Sequence, residues 1–301
     1  MPKQILITGA SGLVGSRLTQ LLIEQGHHVS HLSRSEKKGL IPTFIWDVEK
    51  KYIDSNAFNN IDTIIHLAGS GVADKRWNEK NKKEIEESRT RSTKLLCDKL
   101  KEHQHQVKTF ICASAIGYYG FTLSSEPFTE ESKPGNDFLA EVVKAWEAEA
   151  DQISLLGTRV AKIRIGIVLS KNDGALKQMA LPIKLLVGSP LASGMQYMSW
   201  VHIDDLCGIF IKSVNDTRII GAYNGVAPHP VTNKEMTTNI ARILKRPLWA
   251  PNVPAFVLKL VVGEMADIVI NGSNVSSSKI ESAEYQFRFP NLNEALNDVL
   301  N

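Results

Sequence analysis

An α/β protein organised on a doubly wound parallel sheet is what three features of this 301-residue chain predict. First, a short apolar run at the N-terminus passes through a glycine-spaced turn straight into an amphipathic helix. Second, β-branched runs and helical periodicity then alternate, the pattern of parallel strands joined by crossover helices. Third, the apolar runs are continuous rather than alternating, as strands covered on both faces require. A smaller C-terminal substrate lobe is expected beyond the sheet.

Ile5, Leu6 and Ile7 make the first strand, and residues 13–23 carry apolar side chains at helical spacing. Between them Gly9, Gly12 and Gly15 form a G-x-x-G-x-x-G turn. Glycine there permits unusual backbone angles, close approach of a pyrophosphate, and tight packing of helix on strand. The helix N-terminus offers unpaired N–H groups and the positive end of its dipole to phosphates. Gly9, Ser11, Gly12, Leu13, Val14 and Gly15 are therefore the expected dinucleotide cradle. The second strand, 26–33, ends at Arg34, with Lys37 and Lys38 beyond it and no carboxylate before Glu36. An acid at that point takes the ribose hydroxyls of NAD, whereas arginine favours the 2′-phosphate of NADP. A guanidinium can fork onto a phosphate and stack on adenine, so NADP is the expected cofactor and NAD the less favoured one.

Residues 43–47 read as a third strand, with Asp47 placed where an adenine amino group could lie. A fourth, 62–69, ends at Leu67, Ala68 and Gly69, whose small residues let the chain pass beside a cofactor. A loop with Arg76 and Trp77 follows, then a helix over about 81–103 carrying Ser88, Arg89 and Thr93. The reading continues with a strand at 107–115, a helix at 137–153 and one long strand at 156–169. Residues 199–206 run from strand into helix, and helical pieces are expected at 232–244, 254–270 and 292–300. The expected division is a dinucleotide-binding domain over 1–166 and a substrate lobe over 167–301. The lobe's C-terminal helical module, about 250–301, is intertwined with the first domain.

A net charge of +3, from 35 basic and 32 acidic residues, gives no case for nucleic acid. The one dense basic cluster, 75–83, is mixed with Asp74, Glu79 and Glu84 and reads as a solvated helix entry. Cys97, Cys112 and Cys207 are far apart and lack metal-ligand spacing, so no metal is expected and a reducing, cytoplasmic setting fits. The N-terminus enters a strand at once, leaving no room for a signal peptide. The apolar stretch 253–270 contains Lys259, Glu264 and Asp267, so it reads as a buried or groove-lining helix rather than a membrane span.

Several motifs together resemble an extended short-chain dehydrogenase/reductase of the Rossmann type. They are T-G-A-S-G-L-V-G at 8–15, H-L-A-G at 66–69, Ser114 followed by Tyr119 and Gly120, R-I-G at 164–166, and V-H-I-D-D-L at 201–206. More narrowly, Arg76 with Trp77, Ser88 with Arg89, A-S-A-I-G-Y-Y-G at 113–120, F-L-A-E at 138–141 with Trp146 and Glu147, and M-S-W-V-H-I-D-D at 198–205 resemble an atypical branch. Its members are usually called epimerase family proteins, or the NAD-dependent epimerase/dehydratase family. They end in a small module of undefined role, matched here at 253–256, 263–267, 287–290 and 294–296.

The resemblance implies chemistry by a serine, a tyrosine and a lysine four residues on, the ammonium lowering the phenol pKa for proton exchange. Ser114 stands at the expected strand end. The family spacing puts the tyrosine at Phe138 or Leu139 and the lysine at Val142 or Val143, and neither is present. Lys144 falls on another side of the helix. Three readings stay open. Tyr118 or Tyr119 supplies the phenol, making Ser114 and Tyr119 the candidate catalytic pair. Alternatively the substrate needs no strong phenolate, with Ser114 or Glu141 assisting. In the third reading NADP is a sensor or structural ligand, and the chain is a non-catalytic NADP-binding regulator. His202, Asp204 and Asp205 read as structural, with Asp204 as a helix N-cap. Arg76, Trp77 and Arg89 are pocket candidates suited to an anionic substrate. The leading expectation is an NADP-dependent oxidoreductase or epimerase-like protein acting on a small molecule, with a sugar nucleotide suggested by the family label alone. A homodimer is left open; no membrane or nucleic-acid partner is expected.

Overall fold

The β-branched runs at the start of the chain become strands because both faces of each are covered. In the computed structural model, which describes residues 1–36, 39–102, 106–123, 125–171 and 173–301, Ile5, Leu6, Ile7, Ile64, Ile65, Phe110 and Ile111 are fully buried. Lys37, Lys38 and His103 lie outside the described residues.

β1 (Gln4–Thr8) leads through the glycine turn into α1 (Leu13–Glu24), followed by β2 (His28–Ser33), β3 (Thr43–Asp47) and β4 (Tyr52–Ile53). The alternation continues with β5 (Thr63–His66), α2 (Glu79–Glu102), β6 (Thr109–Ala115), α3 (Phe138–Ser154) and β7 (Arg159–Ile165). Next come β8 (Ile167–Leu169), α4 (Ala175–Lys184), β9 (Tyr197–Met198), β10 (Trp200–His202) and α5 (Ile203–Asn215). Then β11 (Gly221–Gly225), β12 (Val231–Thr232) and α6 (Asn233–Ile243) precede α7 (Ala255–Val262), α8 (Ala266–Ile270), α9 (Ser278–Ser282) and α10 (Leu292–Leu300).

The main sheet of the described residues has the order β11-β7-β6-β5-β1-β2-β3-β4. Its ladders are parallel except the last, where β4 turns back against β3. From β1 the chain moves outward through β2 and β3, then returns to β5 on the other side and moves outward again. That reversal opens a crevice at the carboxyl ends of β1 and β5, where Thr8 pairs with His66. Helices following strands on opposite sides of the reversal cover opposite faces, and α1 packs on α5 while α2 packs on α3.

The single strand expected over 156–169 is broken at Gly166. The Gly166 amide still donates to Gly225 O of the main sheet (3.2 Å), but the Ile167 amide donates to Ser199 O (2.8 Å). β8 thus leaves the main sheet and pairs with β10. Only glycine fits the crossing, because a Cβ there would lie 2.5 Å from the Ser199 carbonyl oxygen. A second apolar core gathers beyond this point around Leu169, Ile183, Trp200, Met236, Ile240 and Leu296. β11 and α5, also beyond residue 166, belong with the main sheet instead.

The expected helix 254–270 is also divided. Gly263 takes a left-handed φ of 65° and separates α7 from a 3-10 turn and α8. The expectation of a buried or groove-lining helix is corrected for α7, which has no buried residue and exposes Phe256, Leu260 and Val261. Its A-F-V-L-K-L-V-V sequence is apolar but for Lys259, a composition expected to be buried, and among the described residues nothing covers its outer face. α8 does turn inward, with Ala266 fully buried. Among the described residues no helix is long and apolar enough to cross a membrane.

Candidate functional site

Each glycine of the first turn has its own steric reason. Gly9 sits at φ 68°, and a Cβ there would lie 2.7 Å from the Leu67 carbonyl carbon. The Gly12 amide donates to Gly9 O (3.0 Å), closing the turn. Gly15 lies under the Gly9 carbonyl with no room for a Cβ. Gly12 is the extended N-cap of α1; no side chain caps the helix, and its first turn holds no acidic residue. The opening amides of α1 and its positive dipole end are therefore offered to the crevice.

The opposite wall is set by a hydrogen-bond chain centred on His66. Thr8 Oγ1 accepts from the amides of Leu67 (3.1 Å) and Ala68 (3.2 Å). Both lone pairs are then used, so its hydrogen goes to His66 Nδ1 at 2.7 Å. His66 Nε2 consequently carries the ring proton and donates to Ser92 Oγ (3.2 Å), whose own hydrogen goes to Ser88 O (2.7 Å). The imidazole is fully buried, against the edge of Trp46 and beside Phe110. Burial lowers its pKa to about 3 and keeps it neutral. Sequence reasoning had His66 only as part of a motif; a lone polar residue ending an all-apolar strand was the available signal.

Between these walls lies a cleft of about 930 Å³. Gly9, Ser11, Gly12, Arg34, Leu67, Ala68 and Gly69 line it, as does Asp47. Leu13, Val14 and Gly15 form the first turn of the helix behind that lining. Arg34 is exposed, and among the described residues it makes no ion pair. Asp47 Oδ1 instead accepts from the amides of Lys50 and Glu49 (3.1 and 3.0 Å), which hold its carboxyl below the usual range.

Ser114 and Tyr119 are not on that lining; both are buried in a polar network. Ser114, Arg164 and Asn224 form one row across β6, β7 and β11. Ser114 Oγ donates to Glu147 Oε1 at 2.6 Å, and Arg164 grips the same carboxylate through Nε and Nη2 (2.8 and 2.9 Å). Arg164 Nη1 donates to the Tyr119 hydroxyl (3.1 Å), which donates in turn to Asn224 Oδ1 (2.6 Å). The guanidinium lies 3.4 Å from the Tyr118 ring centroid. Burial works to raise the Glu147 carboxyl, but Arg164, Ser114 and Lys162 outweigh it and hold it below the usual range. Burial pushes the Tyr119 phenol up to about 12, offset only in part by Arg164 and Asn224. Both hydroxyl hydrogens thus go to buried acceptors. Glu147 and Asn224 were not singled out for a role from sequence, since their partners come from distant segments.

The positions at which the family spacing expects tyrosine and lysine sit in a mostly apolar cluster, with the Lys82 ammonium 5.4 Å from the Phe138 ring centroid. Phe138 meets the Trp77 ring edge-on at 5.1 Å. Val142 belongs to the same cluster, with Ile85 and, from the C-terminal module, Met265 and Ile268. Lys144 pairs with Glu141 at the surface (2.6 Å). The expected N-cap at Asp204 is corrected: His202 caps α5, its Nδ1 accepting from the Asp204 amide (3.1 Å). Asp204, one turn position further in, is freed to take Arg17 of α1 in two hydrogen bonds (2.7 and 3.0 Å).

The profile described as NAD dependent epimerase/dehydratase family matches residues 5–224, most of the chain. The chain belongs to the NAD-dependent epimerase/dehydratase family. Residues 253–299 of this epimerase/dehydratase family member match a second profile, described as a domain of unknown function (DUF1731). It is 35% identical to the epimerase family protein YfhF of Bacillus subtilis, over 98% of this chain and 97% of that one. The crystal structure of human epimerase family protein SDR39U1 with NADPH is similar, with a TM-score of 0.87 and 31% identity over 98% of each chain. A Corynebacterium glutamicum structure described as a nucleoside-diphosphate sugar epimerase gives a TM-score of 0.82 and 33% identity, over all of this chain and 58% of that one.

Proposed function

We propose that this epimerase/dehydratase family member binds NADP in the crevice between β1 and β5 and works as an oxidoreductase or epimerase-like protein on a small molecule. The observation that carries the reading is the uncapped amino end of α1 at Gly12, facing a cleft that Arg34 enters without an acidic partner. The residues present fit the cofactor. Gly9, Ser11, Gly12, Leu13, Val14 and Gly15 form the cradle for a pyrophosphate, the Gly12 amide closing the turn on Gly9 O and the opening amides of α1 facing the anion. Arg34 offers its fork to a 2′-phosphate, and Leu67, Ala68 and Gly69 form the facing wall. A bound NADP would give or take a hydride. The NADPH in the similar human structure supports the preference for NADP over NAD, and the similar sugar-nucleotide epimerase supports a sugar nucleotide as the substrate class to test first. Residues 1–166 carry the cofactor in this reading, together with α5 and β11 of the main sheet, and the rest of 167–301 forms the substrate lobe. The three buried, unpaired cysteines suit a reducing compartment such as the cytoplasm.

Ser114 and Tyr119 are the proposed substrate-side hydroxyls. Ser114 gives its hydrogen to Glu147, so it meets a substrate hydroxyl as an acceptor. Tyr119 can release a proton only by leaving Asn224. That cost favours a second reading, a non-catalytic NADP-binding regulator, and the apolar cluster around Phe138 and Val142 favours it too. Across a panel led by sugar nucleotides, two readouts decide between them: steady absorbance change at the nicotinamide band reads an oxidoreductase, and chromatography of the sugar product reads a redox-neutral epimerase. Turnover with any member supports the enzyme; NADPH binding with no turnover across the panel selects the regulator.

A further inference from the structure

Arg89 on α2 is a half-buried cation with no carboxylate partner among the described residues. Nη1 donates to Ile85 O (2.8 Å) and Nη2 to Ser70 O (2.9 Å). The guanidinium lies 5.4 Å from the Trp146 ring centroid. A guanidinium has five N–H groups, so two bonds leave three without a protein acceptor. Nearby cations are treated differently: Arg91 pairs with Glu49 and Glu87, Lys75 with Glu84, and Lys82 with Glu264. Arg159, also partly buried, shows what a purely structural arginine looks like here. Its guanidinium reaches Ile219 O, Ser213 O and Thr109 Oγ1, and Asp216 lies near enough to act on its charge. Arg89 has neither the third acceptor nor the acid, and burial alone lowers its pKa to about 10. Burying a charge without a partner is costly unless a ligand supplies one.

The position points to that ligand. Cγ, Cζ and Nε of Arg89 lie 3.4–3.5 Å from where a Cβ on Gly69 would stand, so the guanidinium rests against a bare stretch of backbone. Gly69 and Ser70 line the cleft, as do Ile85 and Ser88 on the same helix, and Arg89 stands directly behind Gly69 rather than on the lining itself. We propose that Arg89 binds an oxyanion, a carboxylate or a phosphate, on a second ligand that enters the cleft beside Gly69 after the dinucleotide. The proposal rests on the reading of the cleft as a dinucleotide site and adds that the substrate is anionic at this end. Arg89 keeps its Nε–H and one N–H on each of Nη1 and Nη2 for such a group.

The test is calorimetric titration of the full chain, NADPH-loaded and NADPH-free, with malonate and with inorganic phosphate. The expected result is binding of at least one anion by the loaded protein, weakened about tenfold or more in Arg89→Gln, while NADPH affinity changes little. Arg89→Lys keeps the charge and loses the fork, so it should bind the anion more weakly than wild type and more tightly than the glutamine variant; it also serves alone should Arg89→Gln not fold. Preference for malonate or phosphate identifies the source of the oxyanion. Three outcomes overturn the proposal: neither anion binds wild type, the variants bind as wild type does, or NADPH affinity falls in step with anion affinity. Loss of NADPH binding by wild type itself counts against the dinucleotide reading, and anion binding by the NADPH-free protein reports on Arg89 separately.

Discussion

Glu147 answers three donors at once, Ser114, Arg164 and Lys162, from a position only 6% exposed. Replacing it by glutamine leaves the Arg164 guanidinium buried without its carboxylate, and the expected loss is about 3–5 kcal/mol. Urea unfolding measures this; a loss below about 1 kcal/mol would mean that the network behaves like a surface pair. His66 predicts a pH dependence of definite sign. The folded imidazole stays neutral down to about pH 3, whereas in the unfolded chain it takes a proton near 6.5. The unfolded state therefore binds more protons in that window, and stability is lost as the pH falls from about 6.5 towards 3. This one group contributes up to ~1.4 kcal/mol per pH unit. His66→Gln should unfold with a correspondingly shallower pH slope, and parallel slopes for variant and wild type contradict the assignment. At Arg34 the change to Asp should weaken NADPH by about tenfold or more and leave NADH little affected, read by fluorescence titration.

Among the elements, α5 holds the C-terminal module by its most concentrated set of hydrogen bonds to one carboxylate. Asp205 accepts from the amides of Arg288 (2.7 Å) and Phe289 (2.9 Å) and from the Tyr285 hydroxyl (3.1 Å). His202 meets Asp298 at 3.1 Å on the same side. Asp205→Ala removes the two amide bonds to a charged acceptor, each worth roughly 1.5–3 kcal/mol before relaxation, while the Tyr285 hydroxyl keeps its bond to the Asp205 carbonyl (2.8 Å). Hydrogen exchange should show residues 285–289 losing protection while the α1 turn keeps its protection; unchanged protection in that segment would contradict the clamp. The elements also show what could be read in advance. β3 and α10 were legible because their apolar spacing is uninterrupted and their ends carry turn residues. The breaks at Gly166 and Gly263 were not, since a glycine inside an apolar run marks a kink only when one knows what crosses it. At Gly166 that is the Ser199 carbonyl, 33 residues on in sequence and adjacent only once β10 has folded back.

Across the whole molecule, the site is made by topology more than by local sequence. The glycine turn was legible because strand, turn and helix are contiguous within Gln4–Thr8 and Leu13–Glu24. The Ser114 network was not, because Tyr119 meets Asn224 across 105 residues and Arg164 across 45. No periodicity in sequence encodes that β6, β7 and β11 will lie side by side. The same assembly carries the C-terminal module onto Trp77 and Phe138, where the family spacing would place a tyrosine. The proposed function depends on a dinucleotide held by the amides at the start of α1 and selected by Arg34. Calorimetric titration of the wild-type chain with NADPH and with NADH tests it most directly. The account predicts saturable binding of NADPH, tighter than NADH by about tenfold or more. No heat with either nucleotide, or tighter binding of NADH, would contradict it.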